Sequence, residues 1–89
     1  GYLGKLDPKT KQVEEWATPS GPRSQPYAMT VDDQDRLWYV ETGVQPNRMV
    51  GFDPKTKSII SNTPITGGDG RNAVRHMVFD PKTRSIWYG

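Results

Sequence analysis

The sequence predicts an all-β chain, and three observations carry that prediction. Short runs that alternate apolar and polar residues, rich in Val, Ile, Tyr, Trp and Phe, recur along the 89 residues. Turn signals punctuate them, with nine Gly and eight Pro in the chain, and no stretch carries a helical period. The third observation is a turn written three times, as LDPKTKQV from Leu6, FDPKTKSI from Phe52 and FDPKTRSI from Phe79. The Asp that opens each copy can accept a hydrogen bond from the backbone ahead of it. The Pro behind it presets φ at about −65°, and both features suit a type I turn.

Registering the copies gives the architecture. Residues 5–19 align with residues 51–64, which places Asp7 and Asp53 46 positions apart. The third copy breaks that spacing, because Asp80 follows Asp53 by only 27 positions. Residues 75–89 align instead with residues 26–43: Asp80 stands 48 positions after Asp32, and Trp87-Tyr88 repeats Trp38-Tyr39. One turn therefore serves two different hairpins. A period in the forties with four strands per unit predicts the blades of a β-propeller rather than the coils of a solenoid.

Each element then has a place in the blade. Strand A is expected at about residues 27–31, strand B at 36–41, strand C at 48–52 and strand D at 57–63. Residues 1–24 supply strands C and D of one blade, residues 25–65 a complete four-stranded antiparallel blade, and residues 66–89 strands A and B of the next. The smallest closed propellers have about four blades. The ring is thus expected to be closed by sequence outside this chain or by oligomerisation through the exposed strand edges. The start at Gly1, without an initiator Met, is read as a mature, trimmed or excised piece.

Composition narrows the function classes. A net charge of +2, with basic residues scattered singly, argues against nucleic acid as a partner. The absence of Cys removes disulfides and thiolate zinc sites. No apolar stretch is long enough for a signal peptide or a membrane span, so no membrane partner is expected. Hydrophobic residues make up 33% of the chain, enough for only a modest core.

Up-and-down strands sort the connections onto two faces. The Asp turns fall on one face, and the longer loops at residues 20–26, 42–47 and 66–74 fall on the other. Loops on a rigid scaffold are where function concentrates. Tyr27 and His76, at the start of two A strands, should open onto this loop face, with Glu41 near them at the end of strand B. His76 is the candidate acid/base, against the plainer reading of a structural histidine. Glu41 is the candidate for a divalent ion, against an ordinary hydrogen-bonded carboxylate. Arg23, Arg71 and Arg75 could form an anion-attracting rim, or be solvated loop charges; Tyr27 and Asn47 complete the candidate ligand contacts. Trp38 and Trp87 are expected to pack between blades. The Gly67–Gly70 run is no phosphate loop, since no following helix accompanies it. Lys11, Lys57, Arg84 and Asp35 stand where such hairpins usually place a left-handed Gly, so positive φ is expected at some of them, at a cost of about 1 kcal/mol each.

The segment QPYAMTVDDQDRLWYVETG, followed by NRMVGFDPKT, resembles the streptogramin lyase family (virginiamycin B lyase-like β-propellers). Blades of that family repeat a pattern close to P-H-G-I, then D-G-x-[IVL]-W-F-T-E, then N-x-I-G-x-[FIL]-D-P-x-T-G, and the likeness covers essentially the whole chain. The resemblance implies a seven-bladed propeller of which this chain would hold about two blades. It implies a magnesium-dependent elimination that linearises cyclic depsipeptides of the streptogramin B type at their ester bond. His76 falls at the histidine of P-H-G-I, where the family draws inner-channel histidines, one of them its acid/base. Glu41 matches the glutamate of W-F-T-E, where the family keeps acidic residues near the metal. Tyr27 departs from the histidine position, and Val74 stands where the lyase site has a Glu two residues before its catalytic His. Relatives are often exported, which points to a periplasmic or secreted bacterial protein. Three function classes follow: a lyase-like propeller piece, a non-catalytic propeller binding a small ligand or a protein, and a structural two-blade unit that assembles with copies of itself or with the rest of a longer chain.

Overall fold

The computed structural model describes residues 1–66 and 73–89. It contains eight strands: β1 (Tyr2–Leu6), β2 (Val13–Ala17), β3 (Pro26–Val31), β4 (Leu37–Glu41), β5 (Arg48–Asp53), β6 (Ser58–Pro64), β7 (Met77–Asp80) and β8 (Ser85–Tyr88). A single 3-10 turn covers Gly21–Arg23, and the described residues hold no α-helix. All strand pairs are antiparallel. They form three sheets, β1-β2, β3-β4-β5-β6 and β7-β8. The all-β expectation and the division into two, four and two strands hold.

The hairpin turns form as their sequence dictates. Oδ1 of Asp7, Asp32, Asp53 and Asp80 accepts a hydrogen bond from the backbone N–H two residues ahead, at 2.9, 2.9, 2.8 and 3.0 Å. These Asx bonds set the bend locally. Lys11, Asp35, Lys57 and Arg84 all take positive φ, between 54° and 61°. The left-handed residue expected of this loop length is present in all four turns, without the Gly that would remove its cost. Gln25 joins them at φ 47°, a position that turn chemistry did not single out.

Two apolar layers lie between the sheets. Leu3 from the first sheet packs with Tyr39, Val50 and Phe52 of the second, and Trp16 and Leu37 border them. The Trp16 and Phe52 rings meet at 5.1 Å with a 49° tilt. On the other face of the central sheet, Ala28 and Val40 pack with Val74, bordered by Met49, Ile65 and Met77. The period-2 alternation of β4 divides its side chains between these layers: Leu37 and Tyr39 to one, Val40 to the other. The most extensive backbone approach between sheets joins β3 to β7.

Trp38 binds strand to strand and strand to turn. Its ring lies over Gly51 of β5, where a Cβ would stand 2.8 Å from the indole, so only Gly leaves room. Its Nε1 donates to Asp32 Oδ2 at 3.0 Å. The backbone N–H of Arg36 donates to Asp32 Oδ1 at 3.0 Å and the Arg36 guanidinium to Oδ2 at 2.8 Å. Burial pushes the Asp32 carboxyl up, but the bonds from Trp38, Arg36 and Gln34 overcome it and hold the group well below the usual carboxylate range. Trp87, the repeat of Trp38, has no equivalent of β5 beside it and is 65% exposed.

Two ion pairs cross between sheets on the turn-bearing face. Lys57 Nζ reaches Glu14 Oε2 at 2.9 Å, from the second sheet to the first. Arg84 Nε reaches Asp33 Oδ2 at 2.9 Å, from the third sheet to the second. Both cations belong to left-handed turn residues. The side chain that makes φ costly is the one that spans the gap.

Candidate functional site

The loop face is built from strand ends. Pro26 of β3 stands opposite Glu41 of β4, and the register shifts between Pro26 and Met29. Such a bulge turns the start of a strand away from its pairing partner. Tyr27 lies within the shifted stretch and is 62% exposed. His76 immediately precedes β7; its backbone N–H donates to Gly89 O at 3.2 Å and its carbonyl accepts from Gly89 N at 3.1 Å. Its ring is exposed. Tyr27 and His76 therefore stand at matching places on the two strands that approach across the sheet boundary, both open to solvent. Arg75 and Arg23 are exposed as well. Exposed guanidinium groups on this face favour an anionic ligand. Arg71 lies outside the described residues.

Glu41 and Asn47 are placed differently, in the interior. Glu41 is fully buried, and both carboxylate oxygens are engaged by one residue: Ser20 N–H donates to Oε2 at 2.9 Å and Ser20 Oγ to Oε1 at 2.9 Å. This pins the loop that follows β2 against the end of β4. Among the described residues no group of three or more His, Cys, Asp or Glu could hold a metal ion. Glu41 thus does not offer a free carboxylate to magnesium, and the described residues do not fit the ion that the resemblance implies. Asn47 is also buried. Its Nδ2 donates to Val44 O at 3.0 Å and its Oδ1 accepts from Val74 N–H at 3.2 Å, tying the β4–β5 loop to the segment before the third sheet. Both residues hold the loops that frame the face, and neither points a free polar group outward.

The backbone between these pins is closely fitted. Gly43 N–H donates to Ser24 O at 2.9 Å, and Thr42 N–H and Oγ1 donate to Gln25 O at 3.1 and 2.8 Å. A Cβ on Gly43 would stand 1.8 Å from Arg23 O, so this approach requires Gly. Gln25, whose carbonyl accepts both bonds from Thr42, is itself at positive φ. Beneath the loop, Thr18 and Ser24 share a hydrogen bond between their hydroxyls.

Among the described residues, one buried polar side-chain atom has no hydrogen-bond partner: the Tyr39 hydroxyl, fully buried two residues before Glu41. Burial, and then the Glu41 charge, raise its ionisation above the usual phenol range. Sequence reasoning missed this hydroxyl, the Ser20 partner of Glu41 and the left-handed Gln25. No local signal marks any of them, because each depends on what another sheet or loop brings alongside. A shallow depression among Asp33, Gln34, Asp35, Arg36, Asp53 and Lys55 opens on the turn-bearing face, away from His76.

The fold and the site together define an all-β protein of sequentially packed antiparallel sheets with a pinned loop face. No known protein family matches the chain, and neither a curated protein nor a solved structure does.

Proposed function

We propose that this chain is a two-blade segment of a β-propeller of the streptogramin lyase type, with the loop face as its working surface. Strand A is innermost in that arrangement, and the turns that carry the Asp motif lie on the far side. The observation that carries the proposal is the repeat itself. Two hairpins of different kind recur, the first sheet holding copies of β5 and β6 and the third copies of β3 and β4, in the order that successive blades require. The close approach of β3 and β7 supports it, since the first strands of adjacent blades converge at a propeller axis.

The chemistry proposed is elimination at the ester of a cyclic depsipeptide. A base takes the proton from the carbon next to the one bearing the ester oxygen. The C–O bond breaks, a C=C bond forms, and the carboxylate departs. His76 is the group in this chain suited to take that proton, being exposed at the start of β7. Arg75 and Arg23 are suited to attract the carboxylate that develops. Carboxylates for a magnesium ion would have to come from blades other than those described here.

Elimination leaves the mass of the substrate unchanged, whereas hydrolysis adds one water. Incubating the complete propeller that contains this chain with a streptogramin B depsipeptide and Mg²⁺, and following product by mass spectrometry, is therefore decisive. The proposal expects a ring-opened product of unchanged mass that disappears in His76→Ala. A product heavier by one water, or a rate unaffected by His76→Ala, rejects it.

A further inference from the structure

Polar ties hold the first sheet and the loop after it to the central sheet at both ends. On the turn-bearing face Lys57 holds Glu14. On the loop face Ser20 holds Glu41 through both its N–H and its hydroxyl. The stretch around Ser20 belongs with the first sheet: Thr18 N–H and Oγ1 donate to Gly1 O at 3.0 and 2.9 Å, and Gly21 N–H donates to Thr18 O at 3.1 Å. The Ser20 tie leaves an ion pair unmade. Glu41 stands directly opposite Arg48 in the β4–β5 register. The preceding pairs of that row, Tyr39 with Val50 and Leu37 with Phe52, pack on one face, and Glu41 and Arg48 continue it. Opposed residues of this kind have Cβ atoms about 5 Å apart, well within a guanidinium's reach of a carboxylate. Arg48 turns the other way, to β6: its Nε donates to Asn62 Oδ1 at 2.6 Å and its Nη2 to Asn62 O at 3.2 Å. Among the described residues the fully buried Glu41 carboxylate has an amide and a hydroxyl for partners and no ion pair. That is a costly setting for a charge, and the cation opposite it serves a neutral amide. On the same face the buried Tyr39 hydroxyl adds a second cost.

We propose that the Ser20–Glu41 contact is a latch and that Arg48 releases it. When Arg48 leaves Asn62 for Glu41, Ser20 is freed and the first sheet swings away from the central sheet on the loop face. The turn-bearing end, where Lys57 keeps Glu14, acts as the hinge. The two arrangements exchange one set of partners for another. In the closed one Glu41 has Ser20 and Arg48 has Asn62; in the open one Glu41 has Arg48, while Ser20 and the exposed Asn62 turn to water. The charge pair gained on opening offsets the two hydrogen bonds given up, and water reaching this face supplies the Tyr39 hydroxyl. A near balance between two discrete sets of contacts is what allows packed elements to open and close. The latch sets the gap between the first two sheets on the face assigned to ligand, and it does not depend on the chemistry proposed for that face.

The Ser20 amide reports the latch directly, because its N–H makes one of the two bonds. Its hydrogen exchange is followed by NMR in the whole protein, with the amides of β4 as the control for folding. Asn62→Ala removes the present holder of Arg48 and is expected to speed Ser20 exchange at least about threefold. Asn62→Asp gives Arg48 a charged holder, and Arg48→Gln removes the charge that competes for Glu41; each should slow Ser20 exchange by a similar factor. In the double variant Asn62→Ala/Arg48→Gln the effect of the alanine should vanish, since no cation is left to move. Asn62 lies on β6, beyond β5 from Glu41, so a merely structural role for it would leave Ser20 exchange unmoved. Unchanged exchange in Asn62→Ala, faster exchange in Asn62→Asp or Arg48→Gln, or an alanine effect that survives in the double variant overturns the proposal. None of these readouts involves turnover, so failure of the lyase reading and failure of the latch are seen separately.

Discussion

Asp32 and Asp80 open equivalent turns, yet their replacement should differ sharply in effect. Asp32 accepts four hydrogen bonds and is 7% exposed. Asp80 accepts from Lys82 N–H and Thr83 Oγ1 on an exposed turn, and Trp87 stays in solvent. In Asp32→Ala the Trp38 indole N–H and the Arg36 backbone N–H lose a charged acceptor in a half-buried setting. At roughly 1.5 kcal/mol or more for each, the loss is about 3 to 4 kcal/mol. Asp80→Ala removes turn bonds that water replaces, about 1 kcal/mol. With a urea slope of about 1 kcal/mol/M for a chain of this size, the two midpoints should separate by about 2 M. Asp32→Asn, which keeps one acceptor, should fall between them and remains measurable if the Ala variant unfolds. The pH dependence has a fixed sign. The folded pKa of Asp32 is lowered, so its stabilisation is present above the unfolded value of about 3.9 and is lost as pH falls below it. Asp32→Asn should flatten acid unfolding below about pH 4. Equal midpoints for Asp32→Ala and Asp80→Ala would refute the assignment of Trp38 and Asp32 as one unit.

Other perturbations have equally definite outcomes. Tyr39→Phe removes a buried hydroxyl without a partner and should leave stability unchanged or raise it by about 1 kcal/mol in urea unfolding. Because the Tyr39 ionisation is raised, its contribution is lost as pH rises above about 10, and the Phe variant should lose less stability there. Glu41→Ala leaves Ser20 without its acceptor and should cost about 2 to 3 kcal/mol in thermal unfolding, with no dependence on added Mg²⁺. Lys11→Gly relieves a left-handed side chain and should stabilise the chain by about 1 kcal/mol in the same assay. Gly43→Ala should unfold the loop face, seen as lost amide protection at Thr42 and Gln25.

How much of this was legible in the sequence depended on the range of the interaction. The Asp turns, the strands beside them and the four left-handed residues are fixed by neighbours a few positions away, and the sequence displays those neighbours. The alternation along β4 puts Tyr39 and Glu41 on one face. It could not show that the face is closed by another sheet, because Leu3 and Ser20 come from the preceding sheet and loop. From its letters Glu41 allows both an ion-binding and a hydrogen-bonded carboxylate, and in the fold it is a buried loop anchor. Asn47 follows the same logic through Val74. Trp38 and Trp87 look identical in sequence and differ in exposure because only one has a following strand beside it. Tyr27 is the second residue of β3 and His76 directly precedes β7, positions that the register between repeats fixes along the chain.

Appending a second copy of residues 41–66 after Gly89 offers the third sheet the strands that the central sheet already has. If the sheets are successive blades, β8 amides should gain hydrogen-exchange protection comparable to β4, and Trp87 emission should shift to the blue as its ring becomes covered. Unchanged exchange along β8, with Trp87 still in water, would contradict the arrangement.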